Sequence, residues 1–278
     1  MNELAVIEML KRAAGRQRGS LIKGIGDDCA IYRPRANQDL VFTSDQMVED
    51  VHFTRQQSPL QIGARALARS LSDIAAMGAE PSFALVSLAV PAGLEQTWLR
   101  LFYRGFLTFA RRTKTQLAGG DLARAKNIYC DVMVCGTVPR GKALRRDGAQ
   151  AGDLIYVSGP LGKDWMRPIQ PKLAFGKSLR GRATACMDLS DGLSLDLHRL
   201  CIASKVAARI HQVPITRGST LERALHDGEG YELLFTMPAK MLPPNGSKCI
   251  GVIEPGNPGA LMFQGEPLTP RGWDHFRK

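Results

Sequence analysis

One helical segment with an acid in its middle constrains this chain most: Leu67 to Pro81, LARSLSDIAAMGAEP. Apolar residues recur at helical spacing from Leu67 to Ala75, which predicts one buried stripe. Gly78 then provides a helix stop, and Pro81 keeps the helix from resuming. Asp73 interrupts this apolar pattern. A lone aspartate more often faces water, but a carboxylate among apolar residues is costly unless it is paired or bound to a metal.

Length and composition allow one large or two medium domains in the 278 residues. The apolar runs are too short to cross a bilayer. The N-terminal stretch carries Glu3 and Glu8 within its apolar part, so it predicts an amphipathic helix rather than a signal peptide. The six cysteines show no CxxC pair, which favours reduced core thiols in a cytoplasmic protein.

The net charge of +11 raises the question of nucleic acid binding. The basic residues are dispersed, however, and no nucleic-acid-binding motif accompanies them. Because a phosphorylated small molecule also favours a basic surface, we expect neither a nucleic acid nor a membrane as partner.

Further acids recur beside Gly, Ser or Thr at predicted turns and strand ends. The strand Asp39 to Thr43 is predicted to end in Thr43-Ser44-Asp45, where open α/β sheets place ligands. Gly119-Gly120-Asp121 predicts a tight glycine turn. A later strand is predicted to end in Asp188-Leu189-Ser190-Asp191-Gly192 and to continue into the helix Leu193 to Ser204.

The number of such acids predicts a metal site. Converging carboxylates would repel one another severely unless cations were present. Oxygen ligands without a Cys/His set favour magnesium, manganese or calcium over zinc, and magnesium is usually shared with substrate phosphates. A nucleotide-phosphate site with several Mg²⁺ ions is therefore expected at the following acids: Asp28, Asp45, Asp73, Asp121, Asp188 and Asp191.

Predicted strands and helices follow one another in both halves of the chain. Pro139 and Gly141 interrupt the pattern after a strand from Tyr129 to Val138. We therefore expect an N-terminal domain over residues 1–139 and a C-terminal domain over residues 140–278.

A series of segments in fixed order resembles the thiamine-monophosphate kinase family: GIGDDCAI, TSDQMVEDVHF, ALARSLSDIAAMGAEP, GGD, RDGAQAGDLIYVSG, MDLSDGLSLDL, GEGYELLFT and RGWDHF. This resemblance implies an α/β (α+β) fold of two domains, the PurM-like (AIR synthetase-like) fold. It also implies a homodimer with a shared β-barrel at the N-terminal domains. The implied reaction is Mg²⁺-dependent transfer of the ATP γ-phosphate to thiamine phosphate, giving thiamine diphosphate.

The resemblance also implies roles for single residues. Metal ligands would be Asp28, Thr43, Ser44, Asp45, Asp73, Asp121, Asp188 and Asp191. ATP would be held by Gly120, Asp121, Arg146 and Ser190. The catalytic residues would be Asp121, Arg146 and Asp191. Thiamine phosphate would be contacted by His52, Glu229 and Trp273. Structural alternatives for the last set are a satisfied polar histidine, a solvated turn acid and a C-terminal core plug, respectively.

The chain departs from the family pattern in three places. Leu122 and Ala123 replace two hydroxyl residues after the GGD segment, and Gly230 replaces an acid. The stretch between Gly162 and Ala183 is also shorter than the family pattern. These differences leave two alternatives open: another PurM-like ATP-dependent enzyme with a different acceptor, and a non-catalytic homologue that binds nucleotide or thiamine phosphate.

Overall fold

The computed structural model describes residues 3–15, 19–25 and 29–273. The chain forms two compact units, one of Met1–Ile74 with Glu80–Gly141 and one of Ala75–Ala79 with Lys142–Lys278. The change of unit after Gly141 lies close to the boundary predicted after Pro139. No helix in the described ranges is long and apolar enough to cross a membrane.

The first unit alternates helices with long strands. Its elements are α1 (Glu3–Ala14), β1 (Leu21–Lys23), β2 (Ile31–Tyr32), β3 (Gln38–Val48), α2 (Pro59–Ala76), β4 (Glu80–Val90), α3 (Gln96–Thr113), β5 (Gln116–Arg124) and β6 (Tyr129–Pro139). The last residues of α2 are grouped with the second unit.

The first unit's main sheet has four strands in the order β3-β6-β4-β5. β6 pairs antiparallel with both β3 and β4, whereas β5 joins β4 in parallel. With β3 and β5 at its edges the sheet is open, so the described part of a single chain closes no β-barrel.

Helix α2 packs closely on both the sheet and α3. The Ser70 hydroxyl donates to the Val132 carbonyl of β6 at 2.8 Å. A Cβ at Gly63 or Gly105 would lie 2.0 Å from the carbonyl oxygen of Phe102 or Leu60, so these glycines allow the two helix backbones to touch. The apolar stripe predicted along α2 is thereby buried, as Leu67 and Leu71 show at 0 % exposure.

The opposite face of this sheet is covered only in part. The β1–β2 ribbon lies over Phe83, whose ring centroid is 5.1 Å from that of Tyr32. Phe42 on β3 remains 62 % exposed and Tyr129 on β6 38 % exposed. This partly apolar surface is called the open sheet face below.

The second unit has shorter elements around a larger sheet. They are β7 (Asp153–Val157), α4 (Leu173–Ser178), β8 (Ala185–Asp188), α5 (Leu193–Ser204), β9 (Ala207–Ile210), α6 (Leu221–His226), β10 (Leu233–Pro238), β11 (Lys248–Glu254), β12 (Leu261–Phe263) and β13 (Glu266–Pro267).

The seven strands of this sheet follow the order β13-β12-β9-β11-β7-β10-β8. Helix α5 begins and ends at the predicted residues, and it buries Leu193, Leu197 and Leu200 in the core of the unit. The fold is thus a mixed α/β fold, as predicted.

The cysteines only partly follow the prediction of core thiols. All six are free, and four of them are buried. Cys29 and Cys249 are exposed instead, although the apolar character of cysteine favours burial.

Candidate active site

The predicted strand end at Thr43-Ser44-Asp45 is wrong, because β3 continues to Val48 and pairs with β6 over its whole length. Side chains therefore alternate between the two faces of the sheet. Thr43 and Asp45 lie on the same face as the buried Met47, toward α2, while Ser44 lies on the open sheet face. The three side chains do not form one row of ligands.

Asp73 is half-buried and faces β3. The Thr43 hydroxyl donates to the Asp73 carboxylate. One turn earlier on α2, a guanidinium nitrogen of the buried Arg69 lies 3.8 Å from the Asp45 carboxylate. Two carboxylates and a hydroxyl thus meet between α2 and β3, close to a buried positive charge.

A second group of polar residues crosses the open sheet face. The Ser44 hydroxyl donates to the Asp131 carboxylate. Asp131 is paired with Ser87 of β4, and Ser87 is paired with Asp121 of β5. Since β5 and β3 are separated by two strands, the backbone at Asp121 lies roughly 14 Å from β3.

Gly119-Gly120-Asp121 lies inside β5, so the predicted glycine turn is wrong. The glycine at position 120 has another cause: at a φ of 154°, a Cβ there would lie 1.9 Å from the Val86 carbonyl oxygen. Gly120 therefore permits the close parallel pairing of β5 with β4. Asp121 is left exposed at the sheet edge.

The acids of the first unit supply oxygen donors, which suit a hard cation such as Mg²⁺. Within residues 3–15, 19–25 and 29–273, no three His, Cys, Asp or Glu side chains are grouped closely enough to hold a metal ion. Asp28 of the predicted set lies outside the described residues. The assignment of these acids as metal ligands therefore stays a prediction.

His52 has a structural hydrogen bond. Its ring is 8 % exposed, and Nδ1 accepts a hydrogen bond from the Val48 amide at 3.1 Å. Because Nδ1 is the acceptor, the neutral ring carries its proton on Nε2. The bond fixes the orientation of the ring.

In the second unit, β8 ends at Asp188 and the loop to α5 carries Ser190 and Asp191. Asp188 is buried at 7 % exposure. Gly192 has a φ of 120°, and a Cβ there would lie 2.6 Å from the His226 carbonyl oxygen. The glycine lets this loop pass beside the end of α6.

Asp191 is held by groups of α5. The Arg199 guanidinium donates to the carboxylates of both Asp191 and Asp196. The Asp196 side chain is 0 % exposed, and its carboxylate accepts a hydrogen bond from the Asp191 amide at 3.0 Å. Burial raises the pKa of Asp196 to about 6, with the nearby Asp191 charge acting in the same direction. The loop is therefore anchored by a buried acid and an arginine.

The GEGYE segment lies against the same loop. The Glu229 amide donates to the Ser190 carbonyl at 2.7 Å, and the Tyr231 amide donates to the Leu189 carbonyl at 2.8 Å. The Tyr231 hydroxyl donates to the Glu229 carboxylate at 3.0 Å. Glu229 is half-buried and hydrogen-bonded, so it is not simply a solvated turn acid.

Trp273 and Arg146 lie at the surface of the second unit. The Trp273 amide donates to the Asp191 carbonyl at 3.0 Å, while its side chain is 50 % exposed. The core-plug alternative for Trp273 is therefore wrong. Arg146 is exposed.

The sequence reasoning missed several supporting residues. The first is Arg69, whose partner Asp45 lies on β3 and is distant in sequence. The spacing of Asp196 and Arg199 on α5 could have indicated a second pair. No sequence spacing indicated the ion pairs of Glu232, because its partners Ser158, Lys163 and Lys172 are distant in sequence.

Comparisons with known proteins agree with this architecture. Residues 26–138 match the family model described as AIR synthase related protein, N-terminal domain. A thiamine-monophosphate kinase of Buchnera aphidicola subsp. Acyrthosiphon pisum is 32 % identical over 302 residues, covering 92 % of this chain and 93 % of the relative.

Two solved structures are similar over nearly their whole length. The crystal structure of thiamine-monophosphate kinase from Stenotrophomonas maltophilia K279a has a TM-score of 0.83 at 33 % identity, covering 96 % of this chain and 98 % of the other. A structure described as AaThiL complexed with AMPPCP and TMP has a TM-score of 0.82 at 27 % identity. This match covers 99 % of this chain and 97 % of the other. The chain therefore belongs to the thiamine-monophosphate kinase family and is an ATP-dependent kinase.

Proposed function

We propose that this protein transfers the γ-phosphate of ATP to thiamine phosphate in a Mg²⁺-dependent reaction that yields thiamine diphosphate. The observation that carries the proposal is the near-complete match to a structure complexed with AMPPCP, an ATP analogue, and TMP. The family's activity comes to this chain by that similarity.

The first unit supplies the donors expected for Mg²⁺. Thr43, Asp45 and Asp73 provide a hydroxyl and two carboxylates between α2 and β3, and such hard oxygens fit this cation. Asp28, Ser44 and Asp121 complete the set proposed for this unit. Bound Mg²⁺ would neutralise phosphate charge and orient the transferred group.

In the second unit, Asp188 and Asp191 are the proposed metal ligands, and Ser190 lies between them. We assign Gly120, Asp121, Arg146 and Ser190 to ATP. The exposed guanidinium of Arg146 suits contact with a phosphate, because its planar donors match phosphate oxygens. Arg199 fixes the carboxylate of Asp191 in place.

The proposed chemistry needs no general base, because the attacking phosphate oxygen of thiamine phosphate is ionised at neutral pH. Two negatively charged groups must approach each other, so positioning and charge neutralisation dominate catalysis. Asp121, Arg146 and Asp191 are the residues assigned to this task. Transfer is direct and in line, from ATP to the acceptor.

Three residues are assigned to thiamine phosphate: His52, Glu229 and Trp273. The half-exposed ring of Trp273 offers an aromatic face to a cationic heterocycle. The Glu229 carboxylate, oriented by the Tyr231 hydroxyl, offers it an opposite charge.

The open sheet face supports a homodimer in which the N-terminal strands of two chains complete a β-barrel. Phe42 and Tyr129 leave apolar surface uncovered there, and such surface is typical of an association site. We expect a dimer by light scattering at micromolar concentration. Phe42→Glu would give a monomer while Phe42→Leu stays dimeric, and a monomeric wild type would refute this assignment.

The test of the function is chromatography of thiamine diphosphate after incubation with ATP, thiamine phosphate and excess Mg²⁺. We expect product that requires both substrates and disappears with chelator. Binding of both substrates without product would instead indicate a non-catalytic homologue. Binding of ATP without thiamine phosphate would indicate a different acceptor.

A further inference from the structure

One buried carboxylate in the second unit collects an unusual number of partners. Glu232 is 1 % exposed, and its Oε2 accepts the Ser158 hydroxyl. Its Oε1 accepts from the Lys163 ammonium and lies 3.1 Å from the Lys172 ammonium. A buried charge with two cations and a hydroxyl is strongly tied to its surroundings.

The two lysines stand at the two ends of one irregular segment, residues 163–172. Both ends of this segment are therefore fastened to the same carboxylate. A Cβ at Gly159 would lie 2.8 Å from a Glu232 carboxylate oxygen, so the carboxylate is packed directly against the backbone that leads into the segment.

The same residue also holds the other side of the GEGYE segment. The Glu232 carbonyl accepts a hydrogen bond from the Leu189 amide at 2.8 Å. The Ser158 hydroxyl accepts a hydrogen bond from the Leu233 amide, also at 2.8 Å. Glu232 thus joins β7, the Asp188–Gly192 loop and the start of β10 at one point.

The residues just before Glu232 adopt a strained backbone. Glu229 has a φ of 62° and Tyr231 a φ of 48°, both in the left-handed region. A bulky residue such as Tyr rarely adopts this conformation, and it persists only where surrounding structure enforces it. Tyr231 is nevertheless buried at 4 % exposure, and its hydroxyl orients the Glu229 carboxylate.

We infer that Glu232, with Lys163 and Lys172, is a positioning residue that enforces this strained segment and so aims Glu229 at thiamine phosphate. The lysine pair fixes the segment 163–172 by charge. The inference rests on the proposed function for the identity of the ligand that Glu229 contacts. It assigns no contact with substrate to Glu232 itself.

The test is the kinetics of Glu232→Gln, which keeps the shape and removes the charge. We expect the KM for thiamine phosphate to rise about tenfold, while kcat and the KM for ATP change less than threefold. Lys240→Met, at an exposed lysine outside the network, is the matched control and should behave as wild type. A lower Tm with an unchanged KM would show a merely structural role and overturn the inference.

A second set of variants examines the charge balance. Lys163→Met with Lys172→Met leaves the buried carboxylate uncompensated, so we expect a large loss of Tm. Adding Glu232→Gln to that double variant should recover most of the Tm but not the KM. Recovery of both, or of neither, would contradict the inference.

Hydrogen exchange separates this inference from the function itself. If wild type makes no thiamine diphosphate, the proposed function fails, but the amides of Glu229 and Tyr231 should still exchange at least tenfold faster in Glu232→Gln than in Lys240→Met. Equal exchange rates in the two variants would overturn the positioning role whatever the activity.

Discussion

The two units hold their predicted site residues in different ways. In the first unit, Thr43, Asp45 and Asp121 lie within regular strands and Asp73 within a helix. In the second unit, Ser190, Asp191 and Glu229 lie in loops. Regular elements fix a side chain through the backbone ladder, whereas these loops depend on buried charges and a strained turn.

This difference determines which property a substitution changes, the chemistry or the stability of the fold. A change of a proposed ligand in the first unit should remove chemistry and leave the fold intact, because the strand or helix does not depend on it. In the second unit, the groups that hold the loops, such as Asp196, Arg199 and Glu232, affect the position of their neighbours as well as stability.

The strongest test of the first half of this comparison is Asp73→Asn. We expect kcat/KM to fall on the order of 100-fold, or about 2.7 kcal/mol of transition-state stabilisation, since Asp73 is a proposed metal ligand. The Tm should stay within a few degrees of wild type. Steady-state kinetics and thermal unfolding measure the two effects.

Asp50→Asn is the matched control for Asp73→Asn, because Asp50 is exposed and its φ of 64° is one that asparagine tolerates. It should keep wild-type turnover. Unchanged turnover in Asp73→Asn itself would remove Asp73 from the proposed metal site.

The second unit is tested by Glu229→Gln. Loss of the charge that we propose faces the cationic substrate should raise the KM for thiamine phosphate about tenfold, a change of ~1.4 kcal/mol in binding. Kinetics with each substrate varied in turn provide the measurement. Glu266→Gln, at an exposed residue of β13, is the control, and an equal effect in both variants would refute a local role.

A smaller effect is expected from Trp273→Leu. Cation–π contacts at exposed sites contribute about 0.5–1 kcal/mol, which corresponds to a two- to fivefold weaker affinity for thiamine phosphate. Calorimetric titration should show this loss, and Trp273→Phe should recover part of it. Identical affinities for all three proteins would exclude stacking on this ring.

The smallest effect concerns the attachment of the segment that carries Trp273. His226 Nε2 lies 3.0 Å from an Arg271 guanidinium nitrogen, and Nδ1 lies 2.8 Å from the Ser194 hydroxyl. Burial, together with the Arg271 charge, lowers the pKa of His226, although Glu222 and Asp227 oppose the shift.

Because the folded pKa of His226 lies below the unfolded one, its contribution to stability is complete above about pH 6.5 and is lost as the pH falls. We expect the Tm of His226→Gln to fall less than the Tm of wild type when the pH is lowered from 7 to 5. His211→Gln, at an exposed histidine, should follow wild type. The same pH dependence in wild type and His226→Gln would contradict this attachment.

Local patterns predicted the regular elements well. The apolar spacing of α2 and the capping glycine at position 78 indicated a real helix, and α5 matched to the residue. The strand that contains Thr43 was predicted too short. Its second half is polar, and it stays extended through its pairing with β6.

The contacts of Glu232 with Ser158, Lys163 and Lys172 could not be predicted, because these residues meet only in the tertiary structure. Glu232 and Lys163 are 69 residues apart in sequence, and no pattern links them. Gly120 was assigned to a turn for the same reason: its need for a small residue comes from the Val86 carbonyl of another strand.

Direct phosphoryl transfer is tested by a single turnover with ATP labelled in its γ-phosphate, with thiamine phosphate and Mg²⁺ present. We expect the label to appear in the terminal phosphate of thiamine diphosphate as fast as ATP is consumed, and Asp73→Asn to slow both together. Label that appears only in inorganic phosphate, or first on the protein, would contradict direct transfer to thiamine phosphate.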